Sequence, residues 1–97
     1  MEDEITQRVY RTSAGLIDWS QASEAAQAFS TGRATPGDHR VLSALFNRAL
    51  PGAKTVQTDA GVMSALQAAQ LLTRLRRKVT TGDCHALWSV LFALFDK

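Results

Sequence analysis

From Thr58 to Val79 the chain reads TDAGVMSALQAAQLLTRLRRKV, and the reading of this stretch decides the fold class. Ala65, Ala68, Leu72, Leu75 and Val79 recur at alternating three- and four-residue steps, the spacing of one face of an α-helix. Gln67, Gln70, Arg74, Arg77 and Lys78 fall on the opposite face. Thr58-Asp59 supplies residue types that cap a helix N-terminus, so the pattern predicts one long helix over residues 58–79.

Working backwards, Pro51-Gly52 is a strong stop signal for the helix before it. That helix has the clearest start in the chain: Thr35 as cap, Pro36 at the first helical position and Asp38 at the third. Val41, Leu42, Leu45, Phe46, Ala49 and Leu50 share its apolar side. Upstream, Ala22, Ala25, Ala26 and Phe29 make a narrow face over residues 20–29, and Asp18 and Gln21 have the identities of a capping box. Ile5, Val9, Thr12 and Leu16 step at helical spacing, which predicts a first helix over residues 3–14, ended by Gly15.

Downstream, Thr80-Thr81-Gly82-Asp83 reads as a turn with a second capping box, and a last helix follows from Asp83 to Phe95. The expectation is therefore an all-α fold, a compact bundle of four to five short helices with the last two forming a central hairpin. The 97 residues suit one domain, 1–97, with residues 1–18 as a loosely packed N-terminal helix or arm. Val41-Leu42-Ser43-Ala44-Leu45, Val62-Met63-Ser64-Ala65-Leu66 and Ser89-Val90-Leu91 look alike, but their serines keep no fixed period. Common helix composition accounts for the likeness, and no repeat is expected.

The last helix has the widest apolar surface. Leu87, Trp88, Val90, Leu91, Phe92, Leu94 and Phe95 cover an arc of roughly 200° at 100° per residue. A helix lying on one side of a small core needs a stripe only somewhat wider than ~100°. With two residues after Phe95, no later element is expected to cover the outer side. Trp88, Leu91, Phe92 and Phe95 are accordingly the expected protein interface, most simply in a homodimer.

Composition is 45% hydrophobic and 21% charged, which fits a globular and not a disordered chain. The single cysteine, Cys84, excludes an internal disulfide, and the acidic Met1-Glu2-Asp3-Glu4 start is unlike a basic targeting leader. The longest apolar run, residues 86–95, is well short of the ~20 residues that span a bilayer. A cytoplasmic protein without membrane association is expected. Net charge is +2, with the acids concentrated in residues 1–24 and the bases beyond them.

Catalytic and metal chemistry find little support. Cys84 sits near a helix start, where the dipole favours a thiolate. Its neighbour His85, however, diverges by about 100° on a helix and cannot readily serve it as a base. One Cys and two His (His39, His85) do not make a zinc set, and no glycine-rich phosphate loop is present. No catalytic, cofactor or metal residues are expected.

Arg74, Arg76, Arg77 and Lys78 form the only concentrated basic patch of the sequence, and Arg40, Arg48 and Lys54 are candidates to add to it. It suits an acidic protein or phosphate surface, although cations also complement the negative end of a helix. A helix-turn-helix is disfavoured, because the link from Gly52 to Gln57 is too long for that motif. The expected function is a small non-enzymatic protein-binding regulator or inhibitor that occludes a larger protein. The alternative is a nucleic-acid-binding regulator using the basic patch.

Overall fold

The computed structural model describes residues 9–95 and is mixed α/β. Its elements run β1 (Val9–Thr12), β2 (Gly15–Asp18), α1 (Trp19–Ser30), α2 (Pro36–Ala49), β3 (Thr55–Thr58), β4 (Gly61–Ser64), α3 (Ala65–Arg77) and α4 (Thr81–Phe95). The four helices are joined by two small antiparallel hairpins, β1–β2 and β3–β4. Of the described residues 62% are helical and 18% lie in strands, so the expected all-α helical bundle is wrong.

Two segments carry the correction. The helix expected over residues 3–14 lies partly outside the described residues, and its described part is β1 with the following turn. The helix expected to begin at Thr58-Asp59 begins instead at Ala65, capped by Ser64. Thr58 does not act as a helix cap. Its hydroxyl accepts from the Ala60 N–H at 3.0 Å and donates to the Gly61 carbonyl at 2.7 Å, closing a tight turn. Gly61 then takes φ +108°, which a right-handed helix does not contain. Among the described residues positive φ is confined to glycines, so Gly61 supplies the backbone conformation with which the chain turns back into β4.

The starts of α1 and α2 follow their sequence signals, whereas the capping box expected at Thr80 and Asp83 forms only by half: the Thr80 hydroxyl accepts from the Asp83 N–H, and the Asp83 carboxylate pairs with Arg74 instead. Asp18 and Gln21, Thr35 and Asp38, and Ser64 and Gln67 each make a reciprocal capping box. Each box satisfies two backbone donors that a helix start leaves without partners.

Element order reveals what the serine-containing segments concealed: the chain is two copies of one ββαα unit. Val9 corresponds to Thr55, Gly15 to Gly61 and Trp19 to Ala65. The first turn repeats the second nearly atom for atom. The Thr12 hydroxyl accepts from Ala14 at 3.0 Å and donates to Gly15 at 2.7 Å, and Gly15 has φ +101°.

In the second helix of each unit the offset is one residue shorter. Thr35 there matches Thr80, whose hydroxyls accept from Asp38 and Asp83 at 3.2 Å each. Burial follows the same correspondence. Leu42, Leu45, Phe46, Ala49 and Leu50 match Leu87, Val90, Leu91, Leu94 and Phe95, and all ten are buried. Ile17, Ala22 and Phe29 likewise match Met63, Ala68 and Leu75.

The units share one core, to which both contribute. Their contacts are reciprocal: α1 of the first packs on α4 of the second, and α3 of the second packs on α2 of the first. That is the pattern of contacts across a two-fold axis. α4 is thus central because its apolar arc is met by α1, α3 and β3 of its own chain.

Candidate functional site

The four residues expected to form a protein interface have different fates. Leu91 and Phe95 are 0% and 1% exposed and belong to the core. Trp88 is half-buried, and Phe92 is 49% exposed. The wide apolar arc of α4 therefore has cover from within the chain, complete at Leu91 and Phe95, partial at Trp88 and least at Phe92.

Phe92 does not stand alone. Trp19, the first residue of α1, lies with its ring centroid 5.2 Å from Phe92 and 6.1 Å from Trp88. Trp88 and Phe92, one helical turn apart on α4, are themselves 6.1 Å apart. The tilted and edge-on ring arrangements are those that the aromatic quadrupole favours. Trp19 also packs edge-on against buried Phe95 at 5.7 Å, which anchors the cluster to the core.

Polar contacts fix the cluster further. The Trp88 indole N–H donates to the Ser30 hydroxyl at 3.1 Å, and Ser30 donates in turn to the Ala26 carbonyl at 3.0 Å. Ser30 can do both because a hydroxyl carries one donor and two acceptor sites. The result is an aromatic surface held in one orientation where α1 meets α4. Exposed Leu16 lies three residues before Trp19, on β2.

The internal copy shows what the fold requires at these positions. Where the first pairing of helices has Trp19, Trp88 and Phe92, the second has Ala65, Ser43 and Asn47. The same ββαα unit folds with two small residues and an amide there. The second pairing of helices is thus made without an aromatic cluster at this place, and of the three aromatic residues in the first only Phe92 is exposed.

The basic patch divides. Arg74 pairs with Asp83 at 3.2 Å, tying the end of α3 to the start of α4. Arg74 is 57% exposed, so this pair contributes at most about 1 kcal/mol. Among the described residues Arg76 meets no acid; its guanidinium lies 3.4 Å from Nδ1 of His39, on α2. Arg77 and Lys78 are exposed and, among the described residues, have no acidic partner. Arg48 and Lys54 do not extend this patch, since they line a separate cleft at the ends of α2 and α4.

Cys84 is half-buried, packed against the core at the start of α4, and its backbone N–H bonds to Thr80. Its exposed neighbour His85 and distant His39 make no hydrogen bond to it among the described residues. No group of three or more His, Cys, Asp or Glu gathers there as a metal site either.

The aromatic surface was only half legible in the sequence. Trp19 carries no local signal, because it precedes the apolar face of its helix and the surface joins it to residues about 70 positions away. The repeated Thr-x-Ala-Gly turns, Thr12–Gly15 and Thr58–Gly61, each followed by Gln-Ala, were the signal that could have disclosed the duplication. Comparison with known families, characterised proteins and solved structures finds no match for the chain.

Proposed function

We propose that this chain is a small, non-enzymatic, cytoplasmic protein-binding regulator that acts by occluding a larger protein. The observation that carries this reading is the Trp19–Trp88–Phe92 surface, which the internal copy does without. Pre-ordered aromatic side chains make effective anchors, because they bring large apolar area at little cost in side-chain freedom. No helix among the described residues is long and apolar enough to cross a membrane.

Exposed Arg77 and Lys78 favour nucleic-acid binding as the second reading. The two readings predict opposite mutational patterns. Under protein binding, Trp88→Ser with Phe92→Asn abolishes stoichiometric capture of a cellular protein, whereas Arg77→Glu with Lys78→Glu spares it. Under nucleic-acid binding the charge reversals are the damaging ones, and retention on DNA or RNA falls steeply with salt. A second copy of the chain is a further possible occupant of the aromatic surface. Light scattering on wild type and Phe92→Asn tests it, a dimer mass that reverts to monomer assigning the surface to self-association.

A further inference from the structure

Where the two units meet at the ends of α2 and α4, a cleft of about 390 Å³ opens to solvent. Its walls come from corresponding positions of the two copies: Tyr10 and Val56, Arg48 and Ala93, Ala49 and Leu94. The volume lies near the small end of the range for small-molecule sites, which are apolar concavities with a few placed polar groups.

The correspondence is broken by chemistry. The Tyr10 hydroxyl donates to the Leu94 carbonyl at 2.7 Å, and its ring meets Phe95 edge-on at 5.3 Å. Val56 has neither the length nor the hydroxyl to make that reach from the other unit, so part of the space stays open. Leu50, Val56 and Leu94 give the cleft an apolar floor.

Its charged side chains are of one sign. Arg48 and Lys54 both line the cleft and are exposed, and among the described residues neither has an acidic partner. Lys54 is set on the rim by a turn in which its N–H bonds to Pro51 at 3.1 Å and Gly52 takes φ +61°. Arg48, in the last turn of α2, complements that helix's negative end. Among the described residues the last turn of α4 holds no such cation, and Ala93 stands in the matching place.

We infer that this cleft binds a small organic carboxylate with an apolar body. The carboxylate takes the paired N–H groups of Arg48 and the ammonium of Lys54, and the apolar body lies on Leu50, Val56 and Leu94. The Thr55 hydroxyl, also on the lining, is a further donor for the same oxygens.

Titration of the protein with octanoate, octanol and inorganic phosphate, followed by amide and methyl NMR shifts, tests this. Octanoate is expected to shift Val56, Ala93 and Leu94 saturably, while octanol and phosphate bind more weakly by roughly tenfold or more. Arg48→Ala with Lys54→Gln is expected to weaken octanoate by a similar factor and leave octanol unchanged. Ala93→Leu, which fills the cleft without touching charge, is expected to weaken both. The inference is overturned if octanoate gives no saturable shift into the millimolar range, if phosphate matches it, or if the double variant binds it as wild type does.

Discussion

Two pairings of helices in this molecule are built alike and finished differently. α1 on α4 presents Trp19, Trp88 and Phe92, whereas α3 on α2 presents Ala65, Ser43 and Asn47 at the corresponding positions. Beneath both, the buried residues, the helix caps and the hairpin turns match. A duplicated unit thus serves as its own control. What the copies share is what folding needs, and what one copy adds at the surface calls for another explanation. The same reasoning separates Tyr10 from Val56 and Arg48 from Ala93 at the cleft between the units.

The comparison is most at risk in the core, where the largest effects are expected. Phe46 and Leu91 occupy corresponding positions and are 1% and 0% exposed. Phe46→Ala should cost roughly 3–5 kcal/mol and Leu91→Ala roughly 2–5 kcal/mol. Because the two units contribute to one core, each variant should unfold in a single transition in urea, followed by circular dichroism. Two resolved transitions would mean that each copy holds its own core, contrary to the shared cluster described above.

The glycines of the two turns test local equivalence at smaller cost. Gly15→Ala and Gly61→Ala should each lose roughly 1–2 kcal/mol, since both backbones sit at positive φ. A Cβ at either site meets nothing within 4 Å, so the loss is one of backbone conformation alone. Gly82→Ala is the contrasting case: open space around it, no positive φ and a helical position in α4. It should stabilise the protein by up to about 1 kcal/mol. Thermal unfolding of the three variants checks both signs, and unequal losses at Gly15 and Gly61 would show that the turns are not equivalent.

These glycines also explain what could and could not be read from the sequence. Asp18, Thr35, Pro36 and Pro51 act within a few residues of themselves, so α1 and α2 were legible with nearly correct ends. Thr58-Asp59 was ambiguous because threonine caps a helix and closes a turn with the same hydroxyl. The choice is made by Gly61, three residues on, whose positive φ favours the turn. Four-residue strands are also too short for alternation to outweigh a strong neighbouring helical pattern.

The site was less legible than the fold, and for a different reason. Trp88 and Phe92 were expected at a surface because α4 has too wide an apolar arc for one side of a core. Leu91 and Phe95 were grouped with them, since no periodicity argument reveals that a helix is surrounded by its own chain. Trp19 and the Tyr10–Leu94 bond depend on contacts between the start of the chain and its end, which local patterns do not carry.

The caps of the second helices give a finer test of correspondence. The Thr35 and Thr80 hydroxyls each accept from the N–H three residues on, at 3.2 Å. Thr35→Ala and Thr80→Ala should therefore cost about 1 kcal/mol apiece. A marked difference in urea midpoint at constant slope would show that only one of the two bonds operates in solution.

The smallest stability effect is expected where the copies differ most. Phe92→Asn installs the residue of the other copy at a position already 49% exposed. It removes the ring contacts to Trp19 and Trp88 at 5.2 and 6.1 Å, and relieves the exposure of a phenyl ring to water. Aromatic pairs contribute ~0.5–1.5 kcal/mol each when well packed, and half-exposed ones less, so the net loss should stay under about 1 kcal/mol. Trp88→Ser should cost more, because it also leaves the Ser30 hydroxyl without its indole donor. If Phe92→Asn instead destabilised the protein as severely as Leu91→Ala, the aromatic surface would be part of the fold after all. The copy's Asn47 would then be tolerated for reasons peculiar to its own half, and the argument for a binding surface at Phe92 would lose its control.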